Sequence, residues 1–447
     1  MGYQTEYQQK LTTPRAAARL VQDGDWVEYG LGLNIPELLD AALAQRVGEL
    51  RDVKVRGCLS MQPIAVVEKD PERRSFTYNS WHMSGIERRY HDRNLCNYIP
   101  MTFRNEPVLY ARYLDVDVAM IQVTPMNKHG YFNLSLTCAA TRAALRKAKK
   151  VVLEVNENLP WAMGGYDECI HISEVDAVVE GPHGPLPTLP PAKATETDVT
   201  IARLIVEQLK DGSVLQLGIG GMPNTVGQMI AQSDLKDLGM HTEMLCDAYL
   251  DLHRSGKLTN RCKTIDRDKG PWTLCLGSQE LYDWVDQNPG LALTPVDYCN
   301  SPAVMSQHER MVSINSCIEV DLFGQTCAES SGVRHISGSG GQLDFLTGAF
   351  MAKEGQSFIC MSSTFYDKKE GRVKSRIVPT LPAGGIVTDP RSQAFYLVTE
   401  YGIVNLAGRS TWERAEAVIS LAHPDFREEL IRQADAMKIW RRSNKKE

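Results

Sequence analysis

One acid in this chain stands where a solvated carboxylate gains little. Glu243 lies in "HTEML", between His241-Thr242 and the apolar pair Met244-Leu245. Four chemistries use an acid in such a place: the edge of a metal site, the acid of a hydrolytic dyad, a nucleophile, or a strand end with an incidental carboxylate. The metal reading lacks its partners. H-x-E opens the zinc-deaminase signature, but no P-C-x-x-C follows it, and H-E-x-x-H occurs nowhere. The lipase frame G-x-S-x-G is also missing; Ser339 in "SGSGG" would need a helix directly after it, and "QLDFL" is expected to intervene. A carboxylate nucleophile remains, which forms acyl intermediates when an oxyanion is stabilised beside it.

Two glycine clusters can supply that stabilisation. "LGIGGMPN" (217–224) follows an apolar stretch and opens a helical one, so its amides can face an anion at a helix N-terminus. It is not a dinucleotide fingerprint, because Pro223 stands where the third glycine belongs, and no Gly-Lys-Ser/Thr follows for a Walker loop. "SGSGGQLDF" (337–345) is the second cluster. Together they can aim two N–H donors at one oxygen, each typically worth roughly 2.7 to 4 kcal/mol in the barrier. Taken singly, either is compatible with an ordinary tight turn.

The elements that would carry these groups alternate strand and helix. Buried strands are expected at 117–123, 150–155, 176–180, 357–361 and 394–399, and helices at 139–150 and 411–422. This pattern predicts α/β layers with largely parallel sheets, whose sites lie at the carboxyl ends of strands. An internal echo sharpens the expectation. Residues 16–43 read helix, Asp23-Gly24 turn, strand, Gly30-Leu31-Gly32, then Pro36 opening a helix. The same order returns from "IARLIVEQLK" onward, with Asp211-Gly212, Gly218-Ile219-Gly220-Gly221 and Pro223. Two related α/β halves follow from this: an N-terminal domain over 1–185, a linker at 186–198 and a C-terminal domain over 199–447 that carries Glu243. The linker expectation comes from residues 180–198, whose five prolines and two glycines oppose both helix and central strand.

Composition narrows the function classes. The 447 residues exceed one ordinary core. Net charge is −6 with both signs interspersed, and the only basic run is the tail "WRRSNKKE", which argues against nucleic acid. No run reaches the roughly 18 apolar residues that span a bilayer. The start "MGYQTEYQQK" reads as neither a secretory leader nor a myristoylation signal. Eleven cysteines without a C-x-x-C pair predict free thiols in a reducing cytoplasm and no zinc site.

Motifs along nearly the whole chain resemble the acetyl-CoA hydrolase/transferase family of CoA-transferases: "NSWHMSGIER", "HGYFNLS", "LEVNENLP", "LQLGIGGMPN", "DLGMHTEM", "SINSCIEVDLFGQ", "SGSGGQLDF", "SRIVPTL" and "VTEYGIVNL". They occur in family order from about residue 5 onward. The resemblance implies two α/β CoA-transferase domains and transfer of CoA from a short-chain acyl-CoA, such as butyryl-CoA, to acetate. Hydrolysis of acyl-CoA, or transfer to propionate, 4-hydroxybutyrate or succinate, is the alternative. It implies that Glu243 forms a glutamyl-CoA thioester and that the amides of Ile219 and Gly341 take the oxyanion. Leu217, Gly218, Ile219, Gly220 and Gly221 would form the turn next to CoA, with Ser337, Gly340 and Gly341 where CoA passes. Asn315 would contact the acyl thioester, and Glu400 would be an acid near the nucleophile. The family needs no metal or redox cofactor, CoA being a substrate bound covalently in passing. Its partners are CoA esters and short carboxylates, with no nucleic acid or membrane; a cytoplasmic homo-oligomer, dimer or tetramer, is implied. Excluding water, which would hydrolyse both intermediates, would need loops from both domains to close over CoA.

Among other residues, His241 could orient the nucleophile's strand or simply pack. Trp81, His82 and Met83 could line an acyl pocket or belong to the core. Arg376 could meet a phosphate or make a surface ion pair.

Overall fold

The computed structural model describes residues 2–190 and 193–440. The basic stretch 441–447 lies outside the described residues, apart from Trp440 at its start. Contacts divide the chain into two compact units: residues 1–190, 241–247 and 268–301 form the first, and 191–240, 248–267 and 302–447 the second.

The first unit is built on an eight-stranded sheet, and every neighbouring pair in it is parallel. Its strands are β1 (Leu11–Thr12), β2 (Trp26–Leu31), β3 (Val53–Cys58), β4 (Phe76–Ser80), β5 (Cys96–Tyr98), β6 (Val118–Val123), β7 (Lys150–Val155) and β8 (Ala177–Glu180). Their order across the sheet is β1-β8-β7-β6-β2-β3-β4-β5. Central strands such as β6 are buried along their whole length, as expected of a sheet covered on both faces. Helix α1 (Leu38–Leu43) follows β2.

The second unit holds a six-stranded sheet of β9 (Val214–Leu217), β10 (Gly239–Met240), β11 (Met311–Ser316), β12 (Gln356–Cys360), β13 (Tyr396–Thr399) and β14 (Gly402–Asn405). The order is β10-β9-β11-β12-β13-β14, parallel except for the terminal β13-β14 hairpin. Helix α2 (Gly221–Gln232) follows β9, and α3 (Gln342–Met351) lies between β11 and β12.

The expected strands therefore form at their predicted places, and so does the echo. β2 and β9 each sit where the strand order reverses, with the next strand in the chain on one side and a later one on the other. The helix starts differ. Gly32–Asn34 makes a short 3₁₀ turn, so Pro36 stands two residues ahead of α1, whereas Pro223 lies inside the first turn of α2. "QLDFL", expected to interrupt the chain after Ser339, instead starts α3, because Phe345, Leu346 and Ala349 share one buried face.

The units also divide differently from a cut at the proline-rich stretch. Through residue 190 that stretch is held to the first unit: Leu189 N–H donates to Gly277 O (3.0 Å), and Tyr282 Oη donates to Pro187 O (2.9 Å). Segment 241–247, with Glu243, joins the first unit rather than residues 199–240. The cause is hydrogen bonding. Strand Met244–Leu245 pairs in parallel with Leu274–Cys275. That partner is tied in turn to Leu136 and Cys138: Cys275 N–H donates to Leu136 O at 2.8 Å, and Cys138 N–H to Thr273 O at 2.9 Å.

Candidate active site

Glu243 is half-buried, and its backbone is fixed before its side chain is. Its carbonyl accepts from Thr273 N–H (3.1 Å) and Leu274 N–H (3.0 Å), while the N–H of the buried Thr242 donates to Pro271 O (3.1 Å). His241 is fully buried and donates from Nε2 to Cys299 O at 2.7 Å, which assigns the proton to that nitrogen. The Cys299 thiol returns a contact to Thr242 O at 3.0 Å. His241 thus packs and orients the strand at once.

The carboxylate itself is met by Asn300, which is 0% exposed and donates from Nδ2 to Glu243 Oε2 at 2.6 Å. A hydrogen bond to a carboxylate is short and strong. It places a buried donor on Oε2. Asn300 closes the short helix Val296–Cys299 and lies fifty-seven positions from Glu243. Sequence reading missed it, because "CNSP" carries only the signal of a turn before proline.

The Cys58 thiol, in the same unit, is pushed well up by burial and further by the carboxylates of Glu87, Glu106, Glu243 and Glu28. It stays neutral and does not compete as a nucleophile. Trp81 and Met83 are buried; Trp81 packs edge-on against Tyr110, and Met83 joins the main core.

The remaining candidates belong to the second unit, at the carboxyl edge of its sheet. Leu217 ends β9 with its N–H accepted by Tyr249 Oη at 2.8 Å. The chain then turns through Gly218, the exposed Ile219 and Gly220 into α2, which begins at Gly221. Gly220 adopts φ 116° and ψ −177°, a conformation open essentially to glycine alone. The first amides of α2 therefore follow an exposed glycine turn, the arrangement that receives an anion. Asn315 lies near the end of the neighbouring β11 and exchanges two hydrogen bonds with Gln216, at 3.0 and 3.3 Å. That pair holds the ends of the two strands together, and the amide retains a second N–H.

Gly341 caps α3, and Gly340 before it has φ 52°. Because α3 ends at Met351 and β12 starts at Gln356, the beginning of α3 lies toward the carboxyl edge of the sheet. Ser337 is held internally, its hydroxyl donating to Ala328 O at 3.0 Å. Glu400 follows β13 and accepts from Ser363 Oγ (2.6 Å) and Ser363 N–H (2.9 Å), clamping the loop after β12. Arg376 donates to Ile318 O (3.0 Å) and Ser362 Oγ (3.2 Å) and lies over Phe365. The Cys317 thiol, near Asn315, is pushed up by burial.

The structure thus brings Glu243 together with Asn300 in the first unit. In the second, it brings the Leu217–Gly221 turn together with Asn315.

Comparison with known proteins agrees with this layout. The model of the acetyl-CoA hydrolase/transferase N-terminal domain matches residues 1–190, and that of the C-terminal domain matches 277–434. Glu243 and the β9 turn fall between the two matches but inside full-length relatives. A probable butyrate:acetyl-CoA coenzyme A-transferase of Syntrophomonas wolfei is 51% identical over 441 residues, covering 98% of both chains. The butyryl-CoA:acetate CoA-transferase of Anaerostipes caccae is 48% identical over 447 residues, covering 100% of both. The crystal structure of RipA from Yersinia pestis superposes with a TM-score of 0.89 at 36% identity, covering 98% of this chain and 100% of its own. This chain belongs to the acetyl-CoA hydrolase/transferase family.

Proposed function

We propose that the protein transfers CoA from a short-chain acyl-CoA, butyryl-CoA foremost, to acetate through a glutamyl-CoA thioester on Glu243. One observation carries the reading: a half-buried carboxylate, its residue fixed through the backbone carbonyl, is held at Oε2 by a buried amide. The names of the two relatives near 50% identity support the choice of butyryl-CoA and acetate.

In this scheme Glu243 Oε1 adds to the acyl carbonyl and the C–S bond breaks, giving a mixed anhydride and CoA thiolate. The oxyanion of this step is received by the amides of Ile219 and Gly341. The thiolate then adds to the glutamyl carbon, and butyrate leaves. Charge in that second step develops on Oε2, the oxygen that Asn300 Nδ2 already holds. Acetate next attacks the glutamyl thioester, and the released thiolate takes the acetyl group, restoring the carboxylate. Binding energy from the rest of CoA holds the thioester against a weak nucleophile.

The test is mass spectrometry after incubation with butyryl-CoA and no acceptor. The expected result is a CoA adduct on the peptide containing Glu243, discharged by acetate and absent from Glu243→Ala. An adduct elsewhere, or none during turnover, sinks the scheme. Free-thiol release at the same rate without acetate would put hydrolysis first.

A further inference from the structure

A buried acid that the scheme leaves unused sits behind the start of α3. Asp389 is 0% exposed. Its Oδ2 accepts from Thr326 Oγ1 and from Gln342 Nε2, both at 2.7 Å. Its Oδ1 is buried without a hydrogen-bond partner. Gln342 is the first residue of α3, directly after the Gly340-Gly341 turn. The other end of the tether is equally fixed: Asp389 N–H and Thr388 N–H both donate to Thr326 O, and Ala328 N–H donates to Thr388 Oγ1. The Asp389 carboxylate thus joins its backbone bridge with Thr326 to the first side chain of α3. Glycines on both sides of a functional amide give it little stiffness of their own, so the stiffness has to come from such a tether.

We infer that Asp389 is a positioning residue for the Gly341 amide, acting through Gln342. The inference rests on the reading of Gly341 as an oxyanion donor. An amide displaced by a fraction of an ångström still folds but no longer meets the oxygen at the moment charge develops. The charged and titratable groups facing Asp389 are Glu329, itself pushed up by burial and by the Asp389 charge, and the Cys317 thiol. Burial pushes the Asp389 carboxyl up to about 6, against the hydrogen bonds from Thr326 and Gln342. Both hydrogen bonds to Oδ2 are charge-assisted while Asp389 is ionised, so the tether is strongest then and weakens as pH falls through that value.

The experiment compares the full-length enzyme with Asp389→Asn, Gln342→Met and the double variant. It measures butyryl-CoA:acetate transfer between pH 5.5 and 8.5, and amide hydrogen exchange of the peptide 337–345. Each single variant is expected to lose roughly tenfold or more in kcat at pH 8 with KM nearly unchanged. The acidic fall of the wild-type profile, near pH 6, should vanish in Asp389→Asn. The double variant should be no worse than either single, and exchange over 337–345 should quicken in all three. An unchanged kcat and profile in Asp389→Asn, or losses that multiply in the double variant, overturns the inference. Should Asp389→Asn fail to fold, Gln342→Met at its half-buried position carries the same comparison. If the wild type transfers no CoA at all, the transfer reading fails; exchange that stays at the wild-type rate then overturns the tether as well, and faster exchange upholds it.

Discussion

The two glycine turns of this protein come from one pattern and end in opposite states. β2 ends in Gly30-Leu31 and the chain passes through Gly32 toward α1; after β9, it passes Gly218-Ile219-Gly220 and enters α2. At the first turn the helix start is already filled by the protein. Glu154, fully buried on β7, accepts from the N–H groups of Glu37 (2.9 Å) and Leu39 (2.8 Å), and His183 Nε2 meets the same carboxylate at 3.0 Å. In the second unit the strand position corresponding to Glu154 carries no carboxylate. Aligning Asp23-Gly24 with Asp211-Gly212 sets Val27 against Leu215. Strand registers then carry Val118 onto Val312, Gln122 onto Ser316, and Glu154 onto Cys360. Cys360 is a buried thiol that burial pushes well up, hence neutral. A helix N-terminus attracts negative charge in either unit. What decides whether it serves a ligand is whether a neighbouring strand has supplied a carboxylate of its own.

Breaking the turns themselves separates the two most sharply. Gly220→Ala forces a β-carbon into a conformation costing about 1 to 3 kcal/mol and moves the amides of the turn, so kcat/KM for transfer should fall about a hundredfold. A β-carbon at Gly220 would meet no neighbouring atom, so the effect is one of backbone alone. The counterpart Gly32→Ala, at φ 60°, should show mainly as about 1 kcal/mol of lost stability. Equal effects on turnover would erase the distinction.

A smaller effect tests the filled turn. Glu154→Ala strips one buried and one part-buried backbone donor of their acceptor, each worth about 1 to 3 kcal/mol when unsatisfied, so urea unfolding should shift by about 2 to 4 kcal/mol. Exchange of the 181–190 segment should also quicken, since His183 loses its anchor. The smallest effect is pH-dependent. The hydrogen bond His183 donates to the Glu154 carboxylate raises His183 above its ordinary 6.5, with burial acting the other way. A raised folded value means that the pair stabilises fully below 6.5 and that the gain is lost as pH rises through the folded value. The stability gap between wild type and His183→Ala should therefore be widest near pH 5.5 and narrow by pH 8.5. A gap that widens with pH would show that His183 is held neutral.

Much of the molecule was legible because its signals are local. Apolar runs such as 118–123 and 150–155 form buried strands, and a glycine turn precedes a helix in either unit. Glu243 stood out because an acid between apolar neighbours has no local reason to be there. Asn300 had no comparable signal: it reaches Glu243 only because a strand pairing folds 241–247 onto 268–301. Asn315, which the family resemblance pointed to, is held by Gln216 across neighbouring strands, a pairing that strand register sets. The helix at Gln342 was misread because glycine density hid a buried face that begins directly after it.

The sequence by itself determined the α/β alternation, the duplicated helix-strand-turn-helix unit, the two glycine turns and the unusual acid, since each depends on residues adjacent along the chain. Tertiary structure alone decided which turn is filled by Glu154, which unit holds Glu243, and which amide meets its carboxylate. Those outcomes depend on hydrogen bonds between residues tens to more than a hundred positions apart, set by strand register, and no local propensity encodes them.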